Sequence, residues 1–298
     1  MAELLEDLSA SFSRHLRAEG RAPRTAVLYG QSIRFYGNWL TKQGLEPTVD
    51  NLTRDLIREW LAVLHETNAA GTVLTRWRGL RRFCGWLVAE EILDAHPMKG
   101  ITQPTPPAPP VPVLTDADLA ALIKACKGKT FRDRRDEAVI RLLLDCGVRV
   151  SELVGLRVSD VDLDAESAIV TGKGSKVRAV YFGARTSQAI DRYLRERRKQ
   201  RHAHLEALFI GERGATTDFG VREILKVRGA AAGITDRLNP HRFRHTFAHD
   251  FLLAGGQERD LKRLAGWTSD AMLERYGASA ADARAKEAAT RLRRGDRV

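Results

Sequence analysis

Apolar residues recur every three to four positions in four stretches of the first hundred residues, and glycine, proline, asparagine or aspartate separates the stretches. That period lays one apolar stripe along a helix, so helices are predicted over 2–19, 24–43, 53–66 and 72–91. Farther on, Thr115 followed by Asp118 has the form of a capping box and predicts another helix start. An apolar helix over 136–146 stops at Gly147, and Ser151-Glu152-Leu153 opens a new one beyond Val148-Arg149-Val150. The pattern then changes. Residues 168–171 and 177–181 are β-branched runs joined by Gly172-Lys173-Gly174-Ser175-Lys176, which predicts one hairpin with Lys173 at its tip. Asn239 as cap and Pro240 at the first position start a late helix. Ser269, Asp270 and Gly277 bracket a further one, whose last residue is Tyr276.

A proline-rich stretch over 104–112 divides this pattern in two. Such a sequence favours extended polyproline II, a semi-rigid strap. Three regions are therefore expected: a helical domain over 1–103, the linker 104–112, and a second domain over 113–298. The expected fold is mainly α with a small β-sheet. The second domain ends in an alanine-rich helix over 278–294, which has too few large apolar residues to stand alone and needs a surface to pack on.

Composition adds the class of partner. The 298 residues carry a net charge of +11, which implies a polyanion. The excess is uneven: residues 1–103 hold 13 basic against 12 acidic side chains, and the rest hold 36 against 26. Basic runs such as 195–201 and 291–297 have the ordinary meaning of solvated helix faces. Five Trp and ten Phe suffice for a substantial core. Cys84, Cys126 and Cys146 are odd in number and lack metal-site spacing, so a reducing compartment without structural zinc is expected. No secretory signal and no apolar run of membrane-spanning length occurs, which predicts a cytoplasmic chain that does not enter the membrane.

Two clusters carry candidate chemistry. Arg76, Arg78, Arg81 and Arg82 share the fourth helix, where they are expected to face phosphates or a groove while Trp77, Phe83 and Trp86 pack inward. His241 and Arg244 lie three apart at a helix start, where free N–H groups and the positive dipole end suit a phosphate. Each residue alone has an ordinary alternative: Arg149 as a helix cap, Lys173 as a turn residue, His241 bonded to backbone, Trp267 in a core, Tyr276 half-buried.

Taken in order, Arg149, Glu152, Lys173, His241 with Arg244, Trp267 and Tyr276 resemble the tyrosine recombinases, the family of integrase, Xer and Cre-like site-specific DNA recombinases. The resemblance is strong over 113–276 and general before that; Trp267 stands where many relatives carry a second histidine. It implies a core-binding SAM-like domain followed by an α+β catalytic domain, and transesterification through a 3′-phosphotyrosyl link and a Holliday junction, without cofactor, metal or ATP. Tyr276 would be the nucleophile, Arg149 and Arg244 the phosphate clamps, and Lys173 the acid for the 5′-oxygen. His241 would assist, Trp267 would donate a hydrogen bond, and Glu152 would orient Arg149 or His241. Double-stranded recombination sites, a homotetramer on DNA from free monomers or dimers, and an accessory DNA-bending or directionality protein are the implied partners. A bacterial nucleoid or phage-infected cell is the implied setting. Starting directly with the core-binding helices, the chain is expected to lack the extra arm-binding domain of large phage integrases and to use short sites. A type IB topoisomerase shares the chemistry, and an inactive DNA-binding regulator shares the fold; both stay open at this point.

Overall fold

The computed structural model describes the chain apart from residues 1–2, 106–111, 173, 235, 237, 268, 271, 274–280, 282–283, 287–288 and 298, and the side chains of 294 and 297. The chain folds as two compact units, Met1–Ala108 and Pro109–Val298. Lys173, Tyr276 and much of the expected helix over 278–294 lie outside the described residues.

The first unit is helical: α1 Leu5–Ala18, α2 Pro23–Lys42, α3 Arg54–Thr67 and α4 Ala70–Ala89. Its core gathers Phe12, Leu16, Ile33, Tyr36, Leu40, Ile57, Trp60, Leu80 and Phe83, all fully buried. Pro23 starts α2, and the Thr53 hydroxyl accepts from Leu56 N to cap α3. α4 packs on α2 through Gly79, where a Cβ would stand 2.4 Å from Ser32 Oγ. α1 begins later than the pattern predicts because Leu4 bridges to Thr48 and Leu5 N donates to the Pro47 carbonyl, which draws the backbone there into a β contact.

The second unit runs α5 Asp116–Ala125, α6 Phe131–Cys146, α7 Val150–Gly155, β1 Val161–Asp162, β2 Ser167–Thr171, β3 Val177–Tyr181, α8 Ala184–Arg197, β4 Ile210–Gly211, β5 Gly214–Ala215, α9 Asp218–Ala231, α10 Pro240–Leu253 and α11 Glu258–Ala265. The predicted Thr115–Asp118 capping box is present. β2 and β3 form the predicted antiparallel hairpin, with Val170 opposite Arg178 and Thr171 opposite Val177. β1 extends that sheet, and β4 pairs with β5; two-residue strands are too short to show a period.

Two readings need correction. α6 starts at Phe131, under its own capping box from Thr130 and Asp133. The charged turn between Thr130 and Asp136 hid it, yet its two carboxylates are tied to arginines: Arg228 donates to Asp133 and Asp136, and Arg135 to Asp136, at 2.8–3.0 Å. The basic run over 195–201 is not wholly a solvated face. Arg197 is buried and donates to the carbonyls of Ala203, Leu205, Ala207 and Leu208, so it spends its charge organising the turn after α8.

Gly147 closes α6 in the left-handed region, at φ 54°, and a Cβ there would stand 2.4 Å from the Phe247 ring. Gly147→Ala is therefore expected to cost about 1–3 kcal/mol, from backbone strain and from displacement of Phe247. Urea unfolding reads this directly; an unchanged midpoint would show that the turn relaxes without cost.

Candidate functional site

The site forms where α7, β3, α10 and α11 meet in the second unit. Arg149 is the residue before α7, and its backbone N–H donates to Glu152 Oε2 at 2.8 Å, closing the helix start. Its Nη1 donates to Glu152 Oε1 at 2.8 Å, and its Nη2 to the Gly266 carbonyl at 3.3 Å. About a third of the Arg149 side chain remains exposed. Arg244, one turn into α10, is only 2 % exposed. It donates from Nη1 to the Gly147 carbonyl at 2.6 Å and from Nη2 to the Ala265 carbonyl, with its guanidinium 5.3 Å from the centre of the Trp267 ring. Arg244, not Arg149, thus caps the end of α6.

A third arginine joins them. Arg178 on β3 donates from Nη1 to Glu152 Oε1 at 2.8 Å, from Nη2 to Oε2 at 2.9 Å, and from Nε to the Leu264 carbonyl at 2.8 Å. Leu264, Ala265 and Gly266 are consecutive at the end of α11, so each carbonyl there receives a different arginine. A helix C-terminus is the negative end of the dipole and leaves its last carbonyls without helical partners, which suits guanidinium groups.

Glu152 is 1 % exposed and sits between Arg149 and Arg178. Burial by itself would push its carboxyl up; bonds from Arg178 and from the Arg149 backbone and side chain outweigh that and hold it at about 2, below the usual 4.5. Glu152, expected to orient Arg149 or His241, lies against Arg149 and Arg178. Arg178 was missed because one arginine in a β-strand reads as a solvent-facing residue; its only signal is its place opposite Val170, beside the hairpin tip.

His241 is exposed on the first turn of α10. The Asn239 side chain caps that helix, accepting from His241 N at 3.0 Å and Arg242 N at 3.2 Å. Those two N–H groups are committed to the cap, which corrects the expectation that they serve an anion. Trp267 follows Gly266, which lies at φ 65°, and packs with Ala248, Leu252, Leu261, Ala265 and Leu273. Lys173 belongs to the hairpin tip between Gly172 and Gly174, and Tyr276 to the segment after Leu273; both stand outside the described residues.

The arginines of α4 are in the first unit. Trp77, Phe83 and Trp86 are buried as expected. Arg78 and Arg81 are exposed. Arg81 stacks 5.1 Å from the Trp77 ring and donates to the Met98 carbonyl, and Arg76 lies 4.2 Å from the Phe35 ring. Arg82 pairs with Glu19, the residue after α1, and the hydrogen bonds from Arg82 and Arg21 pull the Glu19 carboxyl down to about 2. Among the described residues no His, Cys, Asp or Glu cluster could hold a metal ion, and no helix is long and apolar enough to cross a membrane.

Comparison with known proteins places both units. Residues 112–283 match the phage integrase family, and residues 10–91 match its N-terminal SAM-like domain. The chain is 30% identical over 266 residues to tyrosine recombinase XerC of Oceanobacillus iheyensis, covering 87% of each protein. It is 30% identical over 276 residues to tyrosine recombinase XerD of Bifidobacterium longum, covering 88% and 89%. Among solved structures, the XerH recombinase bound to its palindromic difH substrate superposes with a TM-score of 0.75 at 16% identity, over 91% of this chain and 81% of that one. A lambda integrase dimer on a core site gives 0.70 at 15% identity, over 91% and 97%.

The depressed Glu152 carboxyl ties stability to pH. Its contribution is complete above the unfolded-state value near 4.5 and is lost as pH falls through about 2. Wild type is expected to exceed Glu152→Gln by roughly 3 kcal/mol at pH 7, with the gap narrowing across that window. Urea titrations of both proteins at a series of pH values test this, and a gap that stays constant down to pH 3 would take Glu152 out of the linkage.

Proposed function

This chain belongs to the phage integrase family of tyrosine recombinases, and from that premise we propose that it cuts and rejoins DNA strands through a phosphotyrosyl bond made by Tyr276. The observation that carries the reading is the convergence of Arg149 and Arg244 on the consecutive carbonyls of Ala265 and Gly266, where α11 ends, beside Trp267. In this reading the two guanidiniums grip the nonbridging oxygens of a phosphodiester, as planar bidentate donors suit that geometry better than lysine does. Both are pre-oriented by backbone, so they need little reorganisation as charge builds in the transition state.

Tyr276 Oη attacks phosphorus, the bond to the 5′-oxygen breaks, and the 3′-phosphate stays on the tyrosine. Lys173 gives the departing oxygen its proton, and His241 assists proton transfer. Trp267 donates a hydrogen bond from its indole while its ring backs Arg244. The phosphotyrosyl bond conserves the ester's energy, so a DNA hydroxyl later displaces the tyrosine without ATP. The four arginines of α4 take backbone phosphates, with Arg82 exchanging Glu19 for DNA. Two duplexes held by four protomers, with a Holliday junction between the strand exchanges, complete the proposed cycle. Accessory DNA-bending or directionality proteins belong to the same proposal.

Covalent capture on genomic DNA, followed by mapping of the attachment points, tests the whole reading. Discrete, recurrent sites joined to Tyr276 are expected; relaxation of plasmids without site dependence would replace it with a topoisomerase. On a nicked substrate carrying the mapped site, Tyr276→Phe is expected to bind normally and form no adduct, and EDTA is expected to leave wild-type adduct formation unchanged. A Phe variant that still forms adduct would remove Tyr276 from the role, and loss of cleavage on chelation would contradict the metal-free chemistry.

The acid has its own signature. Lys173→Ala is expected to cleave about 100-fold more slowly on ordinary DNA and to recover on a bridging 5′-sulfur substrate, whose leaving group needs little protonation. Arg149→Ala and Arg244→Ala are expected to stay impaired on both. Equal rescue of all three variants would overturn these assignments.

A further inference from the structure

Arg178 lies outside the set of residues that the sequence marks for chemistry, yet it occupies the middle of the site. Its Nη1 and Nη2 fill the two oxygens of Glu152 separately and its Nε holds the Leu264 carbonyl, so each nitrogen has a fixed partner. Arg149 gives Glu152 one Nη only and remains about one-third exposed. A guanidinium has five N–H donors, so after its bonds to Glu152 and Gly266 Arg149 keeps donors for a ligand.

A buried carboxylate needs full compensation, and a bidentate arginine is the geometry that supplies it best. Were Glu152 not filled from β3, Arg149 would close on both oxygens from the neighbouring turn and take its fork away from a phosphate. Backbone packs tightly around the existing pair. A Cβ on Gly266 would stand 3.1 Å from Arg178 Nη1, and one on Gly172 3.0 Å from Glu152 Oε1. Glycines therefore border the pair on both sides, one in α11's end and one in the hairpin.

We propose that Arg178 is a positioning residue: it saturates Glu152 so that Arg149 stays available to the scissile phosphate, and it ties the hairpin bearing Lys173 to the end of α11, where Trp267 begins. This rests on the recombinase reading and adds a residue which that reading does not require. Its signature has the opposite sign from simple structural support. Losing Arg178 turns the charge of Glu152 onto Arg149, and removing that charge as well gives Arg149 back.

The test uses the full chain and a nicked duplex carrying the attachment sequence mapped for wild type, with DNA affinity and single-turnover adduct formation measured separately. Arg178→Gln is expected to bind within about twofold of wild type and to form adduct on the order of 100-fold more slowly. Adding Glu152→Gln to it is expected to restore the rate by about tenfold, a coupling that independent losses do not produce. Arg178→Lys is expected to fall between, because an ammonium supplies charge but cannot fill both oxygens in fork geometry. A normal rate for Arg178→Gln, or a double variant slower than the single one, overturns the proposal. Where Arg178→Gln fails to fold, Arg178→Lys with and without Glu152→Gln carries the same two readouts. A wild-type chain that forms no adduct removes the recombinase reading itself; an active wild type beside additive losses removes only the role of Arg178.

Discussion

The three consecutive carbonyls where α11 ends are the constraint on which the site depends. Leu264, Ala265 and Gly266 would end a helix with unmet acceptors, and each is met by an arginine from a different part of the fold: Arg178 of β3, Arg244 of α10 and Arg149 before α7. Carbonyls orient a guanidinium without neutralising it, since they carry partial charge only. That distinction grades the three arginines. Arg178 meets a full carboxylate with both Nη groups, Arg149 shares that carboxylate through one, and Arg244 is oriented by the carbonyls of Gly147 and Ala265. One buried negative charge among three positive ones leaves the cluster cationic, which is what a phosphate requires.

Elsewhere the same residue type does structural work. Arg197 is spent on four carbonyls of one turn, and Arg228 on two carboxylates and the Ala125 carbonyl. Net charge therefore overstates the cation available to a polyanion: part of the +11 is folded into the second unit's own frame. Burial alone does not separate the two uses. Arg244 is as buried as Arg197, and what differs is the neighbourhood: Arg244 shares a helix end with Arg149 and lies against Trp267.

Much of this was legible because local chemistry is written locally. Asn239 with Pro240, Thr115 with Asp118, and Gly147 each specify a helix end through a bond or a backbone conformation within a few residues, and each end stands where the pattern put it. Arg149, Glu152 and Arg244 could be read for the same reason, each being attached to such an end. Arg178 could not be, since its partners Glu152 and Leu264 are 26 and 86 residues away and nothing near it in sequence announces them. The early start of α6 was hidden similarly. Its charged first turn reads as solvated until Arg228, 92 residues on, is placed against Asp136.

Glycine makes this crowding possible, at positions that also carry chain-reversal duties. Gly147 has to be left-handed to end α6, and the same absence of a side chain admits Phe247 against the turn whose carbonyl holds Arg244. Gly266 likewise ends α11 at a positive φ while lying against the Arg178 guanidinium. A single substitution at either glycine would thus disturb a helix end and an arginine together. The helix ends and the arginine cluster are one construction: the backbone conformations that stop α6 and α11 also present the carbonyls by which Arg149, Arg178 and Arg244 are aimed.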